Sequence, residues 1–289
     1  MKKYLLWAGV VLFGLVLAVS MSLGPRVGRF LSHSTVEHDP GLTIFLGYGG
    51  NTILLRSEDR GEALIVDTKM FGGARRLRGM VSSLCPHARL TIVNTHCHRD
   101  HAGGNSLFPG ARVIAGDYDD GEWISESGGQ ALPDVRLKPG QEIKLRIGKE
   151  KVRIKNYGRA HTRNDTVVYL ESRKILVTGD LVFNKWHPAL LEKSGTNVSE
   201  WVGVLERLMR DYDCDTVVPG HGPVAGRQVL SDMRDYFISI QASLGDRERL
   251  ASLKSGYRRY YSIPFISGFK KSLRFIEKES ARNNGAGGK

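Results

Sequence analysis

The chain has 289 residues, 42 Lys and Arg against 30 Asp and Glu, a formal net charge of +12 and 41% hydrophobic residues. That mixture belongs to a globular chain long enough for one large domain or two small ones, and it excludes a disordered or fibrous protein. The cations fall in short clusters (Arg75, Arg76 and Arg78; Arg258 and Arg259; Lys270 and Lys271). None is long enough for a nucleic-acid-binding arm, so no nucleic-acid partner is expected. Cys85, Cys97 and Cys214 lie far apart, which excludes a CxxC motif and a dense disulfide framework.

Lys2 and Lys3 precede an uncharged, mostly apolar run from Tyr4 to Leu23. A signal-peptide core takes about 7–15 apolar residues and a spanning helix about 20. Residues 1–24 are therefore expected to form one hydrophobic helix, a membrane anchor or a signal peptide, with Ala18 and Ser20 spaced like a cleavage site. Lys2 and Lys3 favour an amino terminus inside and the remaining chain outside the cytoplasm, periplasmic or extracellular, against the weaker opposing pull of Arg26 and Arg29.

Residues 25–40 read as a linker or an incoming strand. From Gly41 the pattern changes to short Ile-, Leu- and Val-rich runs broken at Gly49-Gly50-Asn51 and at Glu58–Gly61, which predicts hairpin-linked strands. Ala74, Leu77, Val81 and Leu84 repeat at helical spacing. ARLTIVNT predicts a strand, AGGNSLF a helical turn and ARVIAG another strand. QEIKLRIGKEKVRIKNYG alternates apolar and polar residues about Gly148-Lys149, and DTVVYLESRKILVTGD gives two more strands. SEWVGVLERLMRDYD predicts an amphipathic helix capped by Ser199. DTVVPGHG is a strand running into a Gly-Pro loop. Residues 224–245 and 268–282 read as helices and 283–289 as a disordered tail. Strands mixed with helices over the whole length indicate α/β or α+β layers, with one domain over 41–282.

The chemistry gathers at HCHRDH, residues 96–101. On an extended segment His96 and His98 point the same way, while Cys97 faces away into the core. Asp100 and His101 follow as the chain turns. His161, Asp180 and His221 each sit in a loop-like stretch after a strand. Five imidazoles and two carboxylates suffice for two metal ions with room for water. This donor set suits zinc, with iron or manganese as alternatives.

HxHxDH at 96–101, then GRAHT, TGD and PGHG, resembles the metallo-β-lactamase-fold hydrolases over about Leu42 to His221. The resemblance implies a four-layer αββα sandwich with the metals at one edge between the sheets. It implies that His96, His98 and His161 hold one zinc, that Asp100, His101 and His221 hold the other, and that Asp180 bridges them. Asp67, at the end of ALIVD, would stand behind the ligands, and Thr162 would bond within its loop. Asp100 would be catalytic, orienting a zinc-bound hydroxide.

The family's substrates range over β-lactams, thioesters, lactones, phosphodiesters and sulfate esters, and some members carry out di-iron redox chemistry. The cysteine-ligand β-lactamases have cysteine where this chain has Asp180. The nuclease branch has a long insertion between TGD and PGHG, where this chain has about 40 residues. The flavodiiron branch adds a flavodoxin-like domain not seen here. Lys185, Trp186 and His187 follow Asp180 closely and are candidates for a substrate carboxylate partner, a pocket wall and a pocket base. The expectation is a hydrolase of an ester, thioester or amide-type bond in a small-molecule substrate. The alternatives are a β-lactamase, a phosphodiesterase, a di-iron redox protein and a non-enzymatic metal-binding protein of the same fold.

Overall fold

The computed structural model describes residues 32–286. The hydrophobic helix expected over 1–24 lies outside them. Among the described residues no helix is long and apolar enough to cross a membrane.

Among the described residues thirteen strands form two sheets. The first holds β1 (His33–Asp39), β2 (Leu42–Gly47), β3 (Thr52–Arg56), β4 (Glu62–Val66), β5 (Arg89–Val93), β6 (Arg112–Gly116) and β7 (Val135–Leu137), side by side in chain order. β1 to β4 pair antiparallel, as tight turns allow, and β4 to β7 pair parallel. The second sheet runs from β8 (Glu142–Ile147) through β9 (Glu150–Asn156), β10 (Thr166–Leu170), β11 (Ile175–Phe183) and β12 (Thr216–His221) to β13 (Ala225–Gly226). It repeats the plan: an antiparallel meander, then a parallel pair β11–β12 joined by a crossover helix.

Alternation along the strands sorts side chains into layers. In β3, Ile53 and Leu55 join Val66, Val93, Ile154, Val168 and Val218 in the core between the sheets. Leu54 points outward and packs with Ile65 and Ile92 against Leu77 and Val81 of helix α1 (Phe71–Leu84). On the far side, Val167, Tyr169 and Leu176 pack against Trp201, Leu205 and Leu208 of a helix at Val198–Asp211, and against Leu230, Met233 and Phe237 of one at Gln228–Gln241. The result is the four-layer αββα sandwich. Cys85, Cys97 and Cys214 are free and buried.

Strand β1 occupies part of the stretch read as a linker or an incoming strand. Three local readings change. The cap of the 198–211 helix is Asn197, whose side chain accepts from Glu200 N, and Ser199 lies inside the helix. An additional helix spans Arg247–Gly256. The last helix, Phe269–Ala286, runs four residues into the stretch read as a tail.

Candidate metal centre

The parallel pairs β4–β5 and β11–β12 bring their carboxyl ends to one edge of the sandwich. Asp67 follows β4, His96 to His101 follow β5, His161 sits in the loop between β9 and β10, Asp180 lies within β11 and His221 ends β12. Backbone bonds join the two sheets at this edge: Thr166 N donates to Thr95 O at 2.8 Å, and Asn51 N to Gly220 O at 2.7 Å.

The ligand atoms converge on two points. His98 Nδ1 lies 3.1 Å from both His96 Nε2 and His161 Nε2. His221 Nε2 lies 3.2 Å from Asp100 Oδ2, and His101 Nε2 lies 3.8 Å from that same oxygen. Asp180 divides its carboxylate between them. Oδ2 is 3.3 Å from His161 Nε2 and 3.8 Å from His96 Nε2, and Oδ1 is 3.1 Å from His101 Nε2 and 3.4 Å from His221 Nε2. The edges of a tetrahedron drawn about zinc at about 2.0–2.1 Å are about 3.3 Å long, so these spacings fit metal ions. Among the described residues His101 Nε2 and Asp180 Oδ1 are buried and, although 3.1 Å apart, neither makes a hydrogen bond of acceptable geometry. Such atoms are costly unless a cation satisfies them. The donor set therefore fits the group that the motifs imply.

Electrostatics separates the two groups. Burial drives His96 and His98 below the usual imidazole range and His161 down to about 3, so these three present neutral lone pairs. Burial opposes charge on His101 as well, but Asp180, Asp67 and Asp100 hold it well above that range. His221, against the same burial, is pushed up to about 9 by Asp180 and Asp100. Burial would raise Asp180 and Asp100, yet the neighbouring imidazolium groups keep both carboxylates below their ordinary range.

Three of the ligands are held from behind. Asp67 accepts from Thr95 N and Thr95 Oγ1 at 2.8 Å each and lies 2.7 Å from His101 Nδ1. It thereby fixes that ring. Thr162 N and Oγ1 donate to Asp165 at 2.9 and 2.8 Å, which locks the loop behind His161. Thr196 Oγ1 donates to His161 O at 2.7 Å. His98 Nε2 faces Ser194 Oγ at 2.9 Å and Glu126 Oε2 at 3.9 Å.

A sequence model of the metallo-beta-lactamase superfamily matches residues 46–221, a span that holds every ligand candidate. The chain belongs to the metallo-beta-lactamase superfamily. It is 25% identical over 250 residues to a metallo-beta-lactamase type 2 of Bacillus cereus, across 80% of this chain and 97% of that one. It is 29% identical over 182 residues to an acyl-coenzyme A thioesterase of Gallus gallus, across 52% of this chain and 62% of that one. A metallo-beta-lactamase structure from Pontibacter korlensis superposes with a TM-score of 0.62 at 22% identity, covering 71% of this chain and 98% of that one. A sec-alkylsulfatase structure from Pseudomonas sp. superposes with a TM-score of 0.65 at 16% identity, covering 86% of this chain and 50% of that one. At these identities the two structures bear on fold.

Within this superfamily fold the residues after Asp180 part company. Trp186 stacks on His221 at 5.2 Å between ring centroids and meets Tyr261 at 4.2 Å, so it walls the second group. Lys185 is exposed, with a left-handed backbone. His187 is not brought to the ligands. Its Nδ1 meets Tyr236 Oη at 2.9 Å, and its ring packs with Tyr260 and Phe269. Its backbone N donates to Tyr261 O, turning it toward the carboxyl-terminal helices and away from a pocket role. Sequence reasoning missed Ser194 and Glu126, which carry no motif of their own, and the role of Asp165, which closes the loop just after GRAHT. It also missed Asn51 and Lys69, where a buried amide and a buried ammonium lie beside the glycine pair.

Proposed function

We propose that the chain is a binuclear metal-dependent hydrolase of an ester, thioester or amide-type bond in a small-molecule substrate, with two zinc ions held by seven side chains. The observation that carries this reading is Asp180, whose two oxygens face two separate sets of imidazoles. His96, His98 and His161 would hold one ion, Asp100, His101 and His221 the other, and Asp180 would join them. Bound metal ions at such a site lower the pKa of water from about 16 to about 7 and polarise the substrate's carbonyl oxygen.

The protein's own part is placement. Asp100, whose Oδ2 faces His221, is placed to accept a hydrogen bond from the attacking water and so aim it. Asp67 and Ser194 hold the rings of His101 and His98 in one orientation, and Asp165 holds the loop that carries His161. Trp186 closes one wall with apolar surface. A carboxylate at position 180, where the cysteine-ligand β-lactamases have a thiolate, favours acyl esters and thioesters over β-lactams. Similarity to an acyl-coenzyme A thioesterase supports the same class. The apolar run Tyr4–Leu23 supports an exported or membrane-anchored location.

The test is a hydrolysis panel on the zinc-loaded protein, comparing an acyl-coenzyme A thioester, an aryl ester, a lactone, a chromogenic cephalosporin and a phosphodiester. Turnover of an ester or thioester should fall by about 10²–10⁴ in Asp100→Asn. Preference for the phosphodiester would overturn the substrate class, and preference for the cephalosporin would overturn the ranking of esters and thioesters over β-lactams. Turnover unchanged in Asp100→Asn would overturn the mechanism.

A further inference from the structure

We infer that the β2–β3 turn, Gly47–Asn51, is the mould of the second ligand group, and that Lys69 and Asn51 are positioning residues for the metal held there. The inference rests on the two-metal reading. The turn supplies no ligand, yet its backbone meets all three ligand segments. Gly50 N donates to Asp100 O at 3.2 Å. A Cβ on Gly49 would stand 2.8 Å from Asp100 Cβ, and one on Gly50 would stand 2.3 Å from His101 Cε1, so only bare backbone fits against these two side chains. Asn51 grips the third segment. Its Nδ2 donates to Pro219 O at 2.9 Å and to Gly222 O at 2.8 Å, on either side of His221. Its Oδ1 accepts from Gly47 N at 3.1 Å and closes the turn on itself. Among the described residues no hydrogen bond joins this turn to His96, His98 or His161.

Lys69 fixes the turn from below. Its ammonium is buried and donates to Gly47 O at 2.6 Å, Gly50 O at 2.7 Å and Phe45 O at 3.1 Å. Burial pushes the Lys69 pKa down to about 7, against the pull of Asp67 and Asp100. In the charged form its three N–H groups meet the three carbonyls and use the full donor capacity of a lysine. Tyr48, between the bonded residues, has φ +59, and Gly47 and Gly49 also have positive φ. The left-handed run turns the carbonyls inward, and the lysine holds them there. Without that cation the carbonyls would face one another unpaired, and the surface behind Asp100 and His101 would loosen.

The experiment follows zinc binding to the full chain by calorimetry and metals per chain by native mass spectrometry, for the wild type, Asn51→Ala, Lys69→Met and Lys69→Gln. One of the two binding events should weaken about 10–100-fold, as when other groups that orient ligands are removed, while the other stays unchanged. Lys69→Gln, which keeps two donors, should recover part of the loss. Asn51→Ala should weaken the remaining metal in a His161→Ala background and leave it unaltered in a His221→Ala background. If Lys69→Met fails to fold by circular dichroism, Asn51→Ala carries the test. Equal weakening of both events, or none, overturns the inference while the two-metal reading stands. A wild type that binds fewer than two zinc ions overturns that reading and the inference with it.

Discussion

The two ligand groups differ in what surrounds them more than in what they contain. Around His96, His98 and His161 the partners besides Asp180 are mostly neutral: the Ser194 hydroxyl at His98, and Trp201 and Phe183 against the His161 ring, with one further carboxylate, Glu126, 3.9 Å from His98 Nε2. Burial keeps these imidazoles uncharged, so the group is ready for a cation without displacing a proton. Around His101 and His221 stand Asp67, Asp100 and Asp180, and both rings are drawn toward the charged form. A metal must replace those protons to enter. The first group is built from hydrophobic packing, the second from a charge network on a lysine-pinned turn. One carboxylate, Asp180, is common to both, so the two environments meet at a single side chain.

Removing that side chain should abolish the contrast altogether. Asp180→Ala takes an oxygen from each group and leaves the imidazoles of both facing a gap. We expect fewer than two zinc ions per chain and turnover at the uncatalysed background. Native mass spectrometry and the hydrolysis panel check this together. Retention of two tightly bound ions would show that the groups stand independently.

Asp67→Ala should strike the second group harder than the first. It removes the partner of His101 Nδ1 and leaves Thr95 N without its acceptor in a buried place. Loss of such a partner costs about 1–3 kcal/mol of stability and about 10–100-fold in metal affinity. Denaturant unfolding without metal measures the first effect and zinc titration the second. An unaltered second binding event would mean that His101 is oriented by its own ligand contacts alone.

Ser194→Ala is the matching change for the first group and should be smaller. His98 Nε2 loses one neutral partner, with Glu126 Oε2 3.9 Å away and able to close in. A fall of about 10-fold in the first zinc affinity is expected, at the low end for such groups. A larger effect than that of Asp67→Ala would invert the comparison.

How much of this could be read from the chain depends on whether a residue's role leaves a local pattern. The strands were legible because two-fold alternation of Ile, Leu and Val records which face is buried. The seven ligands were legible because metal chemistry needs lone pairs at the ends of strands, in motifs such as HxHxDH and PGHG. Lys69 and Asn51 were not, because their partners are backbone carbonyls with no sequence signature: Asn51 reaches Pro219, 168 residues away. The Arg247–Gly256 helix was not, because it buries no residue and so shows no apolar period. Asn197 was passed over for Ser199 because both are good caps, and only the backbone turn at 197 decides between them. His187 was misplaced for the opposite reason. Nearness in sequence to Asp180 suggested a shared pocket, while the chain leaves the site at Trp186.

His187 also sharpens what makes the other histidines special. It is buried like them, but only aromatic rings and a tyrosine hydroxyl face it, so burial alone lowers its pKa to about 4 and no carboxylate opposes the shift. Its folded pKa lies below the value of about 6.5 for a free histidine. As pH falls from about 6.5 to about 4, the unfolded chain therefore binds a proton that the folded chain refuses. Stability present at neutral pH is lost through that window, by at most about 3 kcal/mol. In His187→Gln the side-chain amide can keep a bond to Tyr236 but cannot titrate. The drop in Tm between pH 7 and pH 4.5, measured with chelator present so that metal release does not contribute, should be smaller in the variant than in the wild type. Equal drops would mean that His187 takes up its proton without disturbing the helices around it. Burial without a charge partner would then not be enough to keep an imidazole neutral in this fold, and the neutrality ascribed to the first ligand group would need another cause.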